Sequence, residues 1–162
     1  MVTAPAGSDR FSRPLTVDDA ERIIAIDRAH TGHARRRFFE SRLAAAAARP
    51  EDFIQVGVMC GGALRGYAIA RILRGEFGRG DAIAVLDGVG VELVSQESGV
   101  GQALIEALAE GMRQRNVITV QSLVDWRNHD LTRFFGASGF ELAPRLNLER
   151  SLSEPLDEMA DD

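Results

Sequence analysis

The sequence predicts an α/β fold of the α+β kind: a mixed, mostly antiparallel sheet flanked by helices. Two observations carry that expectation. Two apolar, β-branched runs, Phe53 to Cys60 and Leu64 to Ile72, are joined through Gly61-Gly62, which is the pattern of an antiparallel hairpin. Further on, the apolar run Ala82 to Val91, an amphipathic stretch from Gly101 to about Arg115, and a second apolar run from Val117 to Val124 make a β-α-β crossover. With 162 residues and 45% hydrophobic content, the chain is long enough for one domain with a real core and too short for two ordinary ones.

The elements follow in order. Residues 1–10 are small, polar and Pro/Gly-bearing, and read as a flexible leader before a short strand near Phe11. Thr16 with Asp19 three residues later approximates a capping box, and Ala20, Ile23, Ile24 and Asp27 run at helical spacing to about Arg28. A second helix starts after Gly32 and stops before Pro50, which disfavours helix in the preceding residue. The hairpin follows, then a glycine-punctuated loop from Gly75 to Gly80, then the long strand ending in Val89-Gly90-Val91, where strand glycines mark a bulge or a close backbone approach. In the helix after Gly101, Ala103, Leu104, Ala107, Leu108 and Met112 keep a 3.6 period. Val117 to Val124 reads as a buried strand, Leu131 to Ala137 as a short helix, and Phe140 to Arg150 as one or two closing strands. Residues 11–152 thus form a single domain, and 153–162 an acidic, disordered tail.

All 19 basic residues are arginine, and five of the 24 acids lie beyond Leu152, so the net charge of −5 belongs to the tail and the body is neutral. That balance gives no support to nucleic-acid binding. The run Arg35-Arg36-Arg37 reads either as a solvated helix face or as a docking patch for an anionic group. Cys60, the one cysteine, sits in an apolar run as a small hydrophobe, and no disulfide within the chain is possible. The sequence shows neither a bilayer-length apolar run nor a signal-peptide pattern, so a cytoplasmic protein is expected. No metal site is expected, because His30, His33 and His129 have no ligand spacing with a cysteine or acid.

The chemically informative stretch links the long strand to the amphipathic helix: Gln96-Glu97-Ser98-Gly99-Val100-Gly101-Gln102. Gly99 and Gly101 lack Cβ atoms, and the first amides of the helix have no internal partner, so this end suits a phosphate or pyrophosphate. A Walker loop requires a lysine, which the chain lacks, and a dinucleotide fingerprint requires a small residue where Leu104 stands. The remaining alternative at this level is a glycine-rich turn that merely caps a helix.

Here the sequence resembles the GNAT superfamily of acyl-CoA-dependent N-acyltransferases. Gln96, Gly99 and Gly101 match its Gln/Arg-x-x-Gly-x-Gly/Ala signature. Asn128, Phe135 and Gly139-Phe140 match its later Asn, Tyr, Gly-Phe pattern, except that Phe135 replaces the tyrosine. The resemblance spans roughly Phe11 to Arg150 and includes the element order. It implies a gap where the long strand and the strand after the main helix splay apart, occupied by acetyl-CoA or another acyl-CoA. The pantetheine arm would pair with the main chain near Val89 and Val91, and the amides from Gln96 to Gln102 would hold the pyrophosphate. Asn128 would hydrogen-bond the arm, and Arg133, further along the short helix, would face a CoA phosphate or solvent.

The implied reaction is transfer of acetyl to a primary amine of a small molecule or protein, by direct attack on the thioester with a main-chain N–H steadying the oxyanion. A base is wanted for the ammonium proton. Asp87 matches a position where relatives often carry an acid, with Glu92 and Asp125 as alternates, and the bland reading of Asp87 is an arginine-paired strand carboxylate. His30 and His33 lie near the turn that lines the acceptor side in relatives. Tyr67 reads as core or cleft wall, and Trp126 as cleft wall or interface. Phe135 cannot protonate a leaving thiolate, and Glu97 adds a charge beside the proposed pyrophosphate. These two departures favour the alternative of a GNAT-like acyl-CoA-binding sensor or interaction module without turnover. The resemblance alone implies a homodimer.

Overall fold

The computed structural model describes residues 9–96 and 98–153. Five strands run in the order β1-β2-β3-β4-β5: β1 Arg10–Pro14, β2 Phe53–Cys60, β3 Ala63–Leu73, β4 Ile83–Val91 and β5 Val120–Gln121. The first three junctions are antiparallel and β4–β5 is parallel, as the hairpin and crossover patterns require. The helices are α1 Ala20–Thr31, α2 Arg36–Ala48, α3 Val100–Arg113 and α4 His129–Ala137.

Each helix boundary has a local cause. Ahead of α1, a 3-10 turn over Val17–Asp19 carries the Thr16/Asp19 capping box, with the Thr16 amide donating to the Asp19 carboxylate at 2.8 Å. Gly32 ends α1 in the left-handed region at φ 76°, where a residue without Cβ is unstrained. Pro50 follows α2 closely and opens a separate 3-10 turn.

Two apolar clusters sit on opposite faces of the sheet. Leu15, Ile23, Ile24, Ile26, Phe39, Leu43, Leu64, Tyr67 and Ile69 join α1 and α2 to one face. On the other, α3 lays Val100, Leu104, Leu108 and Met112 against Ile54, Val58, Ala68, Ala70 and Leu86. Their i, i+4 spacing makes one continuous stripe along α3. Burying a Leu side chain of this kind contributes about 2 kcal/mol.

Three expectations need correction. The leader ends earlier than residue 10, because Arg10 already pairs with Cys60 in β1. The run Val117 to Val124 yields only the two-residue strand β5, flanked by single bonds with β4 at the Thr119 carbonyl and the Ser122 hydroxyl; Ile118 and Leu123 are exposed, and the weak alternation carries the pairing no further. Phe140 to Arg150 forms no strand, and Leu142, Leu146 and Leu148 are 100%, 87% and 87% exposed. Pro144 interrupts that segment, and it pairs with none of the described strands. Residues 154–162 of the expected tail, and residues 1–8 of the leader, lie outside the described residues.

Candidate acyl-CoA site

The site is built from a strand with one open edge. β5 pairs with β4 only at Ala84↔Val120 and Val85↔Gln121, and the last link beyond is Ser122 Oγ donating to the Leu86 carbonyl at 3.4 Å. From there to Val91 the β5 side of β4 has no strand against it among the described residues.

The register says which groups face that edge. Gly66↔Val91 and Tyr67↔Gly90 are opposed across β3 and β4, and the Glu92 amide donates to the Arg65 carbonyl at 2.7 Å. Hydrogen-bonded pairs alternate along an antiparallel ladder, so Glu92, Gly90 and Gly88 bond to β3 while Val91 and Val89 turn their N–H and C=O outward. Val89 and Val91 are the two residues named from the resemblance.

A β-bulge sets up this end of β4. Ile69 opposes Gly88 and Ala70 opposes Leu86, which leaves Asp87 as the extra residue. Both Asp87 and Gly88 therefore fall on the α1/α2 face, where Gly88 lies against Phe39 and Tyr67. Gly90 is needed for close packing, since a Cβ there would stand 2.8 Å from the Tyr67 ring.

Beyond β4 the chain makes a 3-10 turn over Leu93–Ser95 and enters α3 through Gly99 at φ 83°. Among the described residues no side chain caps this end, and the first main-chain bond along the helix is Ala103 N–H to Gly99 O at 3.0 Å. The amides of Val100, Gly101 and Gln102 have no partner among those residues and stand at a helix terminus with its partial positive charge. Both glycines also have packing reasons. A Cβ on Gly99 would meet the Arg10 guanidinium at 2.8 Å, and one on Gly101 would meet the Phe134 ring at 2.8 Å. Val100 is buried core, whereas Gln96 and Ser98 are exposed and Gln102 hydrogen-bonds Glu106 on the surface. Glu97 lies outside the described residues.

Arg10 is the site residue that sequence reasoning missed. Its Nη1 donates to the Ser98 carbonyl at 2.7 Å, which brings a guanidinium from β1 against the turn that opens α3. No local pattern ties residues 88 positions apart, so only the sheet order reveals it.

The proposed bases are already engaged. Asp87 takes two hydrogen bonds from Arg71, at 2.5 and 3.0 Å, and lies 3.0 Å from Arg42 Nε. That is the arginine-paired carboxylate of the bland reading. Glu92 accepts from Arg65 at 2.6 Å, from Ser95 at 3.0 Å and from Arg22. Burial pushes its pKa up, but the hydrogen bonds from Arg65, Arg22 and Ser95 together outweigh it and hold the carboxyl below its ordinary range. Asp125 is held at about 2 by the Arg127 guanidinium and then by the Arg127 amide. A carboxylate whose lone pairs are filled by guanidinium donors is a poor proton acceptor.

The remaining candidates are placed as follows. Asn128 caps α4, its Oδ1 accepting from the Leu131 amide at 3.1 Å, which leaves its NH2 group free of that bond. Arg133 is exposed and pairs loosely with Asp130 at 3.5 Å. Phe135 is core, its ring centroid 4.7 Å from that of Phe140. Tyr67 is fully buried, its hydroxyl donating to Asp27 at 3.3 Å, and burial followed by the Asp27 charge raises its pKa. Trp126 is 82% exposed and Cys60 is half-buried. The arginine run is exposed but mostly ion-paired: Arg35 binds Asp27, and Arg36 binds Glu21 and Glu40. His30 Nε2 lies 2.6 Å from the Val91 carbonyl oxygen. No cluster of potential metal ligands occurs among the described residues, and none of their helices is long and apolar enough to cross a membrane. A groove of about 410 Å3 lies elsewhere, between α2 and α3 over β1 and β2, and contains none of these groups.

No protein-family model and no curated protein matches the chain. Solved structures do. An aminoglycoside N-acetyltransferase, AAC(6')-Iy in complex with CoA, superposes with a TM-score of 0.76 at 19% identity, covering 93% of this chain and 99% of that one. A ribosomal-protein-alanine N-acetyltransferase from Brucella melitensis biovar Abortus 2308 gives 0.69 at 17%, covering 88% and 99%. Glucosamine-6-phosphate N-acetyltransferase from Arabidopsis thaliana gives 0.66 at 13%, covering 90% and 99%. The bulged β4 with its open edge, leading directly into an uncapped helix, is thus set in the GNAT acetyltransferase fold, and this chain has that fold.

Proposed function

We propose that the chain is an acyl-CoA-dependent N-acyltransferase that moves acetyl from acetyl-CoA to a primary amine by direct attack. One observation carries the reading. The outward peptide groups of Val89 and Val91 lead, through one turn, to the helix-terminal amides of Val100, Gly101 and Gln102. An amide-bearing arm ending in a pyrophosphate matches that order: acceptors and donors along the strand, then an anion at the helix terminus. Arg10 adds a cation beside the turn, and the Asn128 NH2 group, which the cap does not use, would supply a further donor in this reading. The Val91 N–H serves as the oxyanion donor.

The acceptor would enter from the α1/α2 face, where the bulge displays Asp87. The similar structures named above are enzymes named for acting on an aminoglycoside, a ribosomal-protein alanine and glucosamine 6-phosphate, all of them amines. These define the first acceptor panel. Acetyl-CoA places the protein in the cytoplasm in this reading. A second copy is the expected partner, because the exposed leucines at 142, 146 and 148 and the unpaired outer edge of β5 belong to one chain and could satisfy each other between two.

A second reading, acyl-CoA binding without turnover, is favoured by Phe135 being buried core and by Asp87 and Glu92 being filled by arginines. Calorimetry with acetyl-CoA on the wild type and Gln102→Glu, followed by thiol release with the panel, separates these readings. Gln102→Glu puts a carboxylate at the α3 terminus, where it repels a pyrophosphate; for the helix, the gain from a negative charge at the terminus roughly offsets the lost hydrogen bond to Glu106 and the like charge four residues on. A loss of affinity of about fivefold or more with unchanged stability is expected. Wild type that does not bind, or a variant that binds equally, would sink the placement; binding without thiol release would favour the second reading.

A further inference from the structure

The described carboxylates around the open end of β4 are committed. Asp87 is held by Arg71 and Arg42, and Glu92 by Arg22, Arg65 and Ser95. Asp27, one turn before His30 on α1, is held by Arg35 and the Tyr67 hydroxyl, and Asp125 by Arg127. A group that takes a proton from an attacking ammonium needs a free lone pair at the open edge. His30 has one.

Its Nε2 lies 2.6 Å from the Val91 carbonyl oxygen. A carbonyl only accepts, so Nε2 carries the hydrogen and donates it. In the neutral ring this leaves the lone pair on Nδ1. The Val91 carbonyl is one of the two that face away from β3, so the imidazole stands at the gap itself. It arrives there on α1, from the sheet face opposite the one that carries α3. A thioester lying along β4 would therefore have His30 on its acceptor side.

We infer that His30 is the proton acceptor for the amine, with the Val91 carbonyl fixing its tautomer. The inference rests on the acyltransferase reading. The ammonium gives one proton to Nδ1 and becomes a neutral amine with an imidazolium beside it. The amine nitrogen bonds to the thioester carbon, and the carbonyl electron pair moves to oxygen. As the carbonyl re-forms, the C–S bond breaks and CoA departs as a thiolate, which takes the second nitrogen proton. The imidazolium returns its proton to solvent. The products are the N-acetyl amine, the CoA thiol and one released proton.

His30→Gln tests this, because Gln retains an N–H for Val91 but offers no basic nitrogen. Calorimetry comes first: acetyl-CoA affinity should match wild type within about twofold, and wild type that fails to bind marks failure of the acyltransferase reading as well. Thiol release is then measured with the aminoglycoside, glucosamine 6-phosphate, N-terminal-alanine peptide and hydroxylamine, which is unprotonated at neutral pH and needs no base. The variant should lose about 100-fold in kcat with the best amine acceptor, keep its KM for acetyl-CoA, and keep hydroxylamine turnover within about threefold. Amine turnover retained within that margin, or equal loss with both kinds of nucleophile, overturns the proposal. Should the wild type acetylate no amine of the panel, the His30 ring-nitrogen NMR signals, identified by their absence in His30→Gln, decide it. An Nε2–H tautomer whose Nδ1 signal moves on adding acetyl-CoA supports the role; another tautomer or an unmoved ring overturns it.

Discussion

Arg10 and Glu92 show what single charged residues do here. Arg10 braces the turn before α3 through the Ser98 carbonyl and brings its guanidinium charge beside the helix terminus. Arg10→Gln is expected to weaken acetyl-CoA binding about tenfold at low salt and less at high salt, as calorimetry at two ionic strengths would register. Equal affinities at both would remove Arg10 from the site. Glu92 ties α1, β3 and the end of β4 together through Arg22 and Arg65. Because its folded-state pKa is depressed, the stabilisation it confers is fully present above the unfolded value, ordinarily about 4.3, and is lost as pH falls through the folded one. Asp19, lowered first by the Arg13 hydrogen bond and further by the Thr16 amide, has the same sign. Urea midpoints should therefore be flat from neutral to weakly acidic pH and fall below it, and Glu92→Gln should reduce the acid slope while lowering the neutral plateau. An unaltered slope in the variant would contradict the assignment.

At the scale of elements, α3 is the test of the core. Leu104 is fully buried between α3 and the sheet, so Leu104→Ala should cost about 2–5 kcal/mol in urea unfolding. A cost within about 0.5 kcal/mol would mean that the stripe does not carry the packing. This helix was also the most legible part of the chain, since a 3.6-residue apolar period with polar residues opposite has one simple solution. The hairpin was equally plain from Gly61-Gly62. The strands after α3 were not: Val117 to Val124 and Phe140 to Arg150 have strand-like composition, but composition does not supply a neighbouring strand, and only Val120–Gln121 pairs with one. For the site, Gln96, Gly99, Gly101 and the Val89–Val91 strand end were readable because main-chain geometry follows from glycine spacing and strand register. Arg10 and the arginine partners of Asp87 and Glu92 were not, and of His30 only its place near the acceptor-side turn was, because their contacts join elements far apart in sequence.

For the whole molecule, the exposed leucines of the 140–152 segment pose the outstanding energetic question. Leu142, Leu146, Leu148 and Leu152 are each at least 87% exposed, and the outer edge of β5 is unpaired among the described residues. Pairing between two copies would cover both at once. Sedimentation velocity should find a dimer that Leu146→Glu/Leu148→Glu converts to a folded monomer; a monomeric wild type, or a dimer indifferent to the double substitution, would exclude this mode. The open edge of β4 has one more consequence, in isotope exchange. The Gly88, Gly90 and Glu92 amides are locked into β3 while those of Val89 and Val91 face outward, so deuterium should enter this strand at every second position. A ligand lying along the edge would slow the fast positions and leave the slow ones as they were, turning a two-residue rhythm into uniform protection.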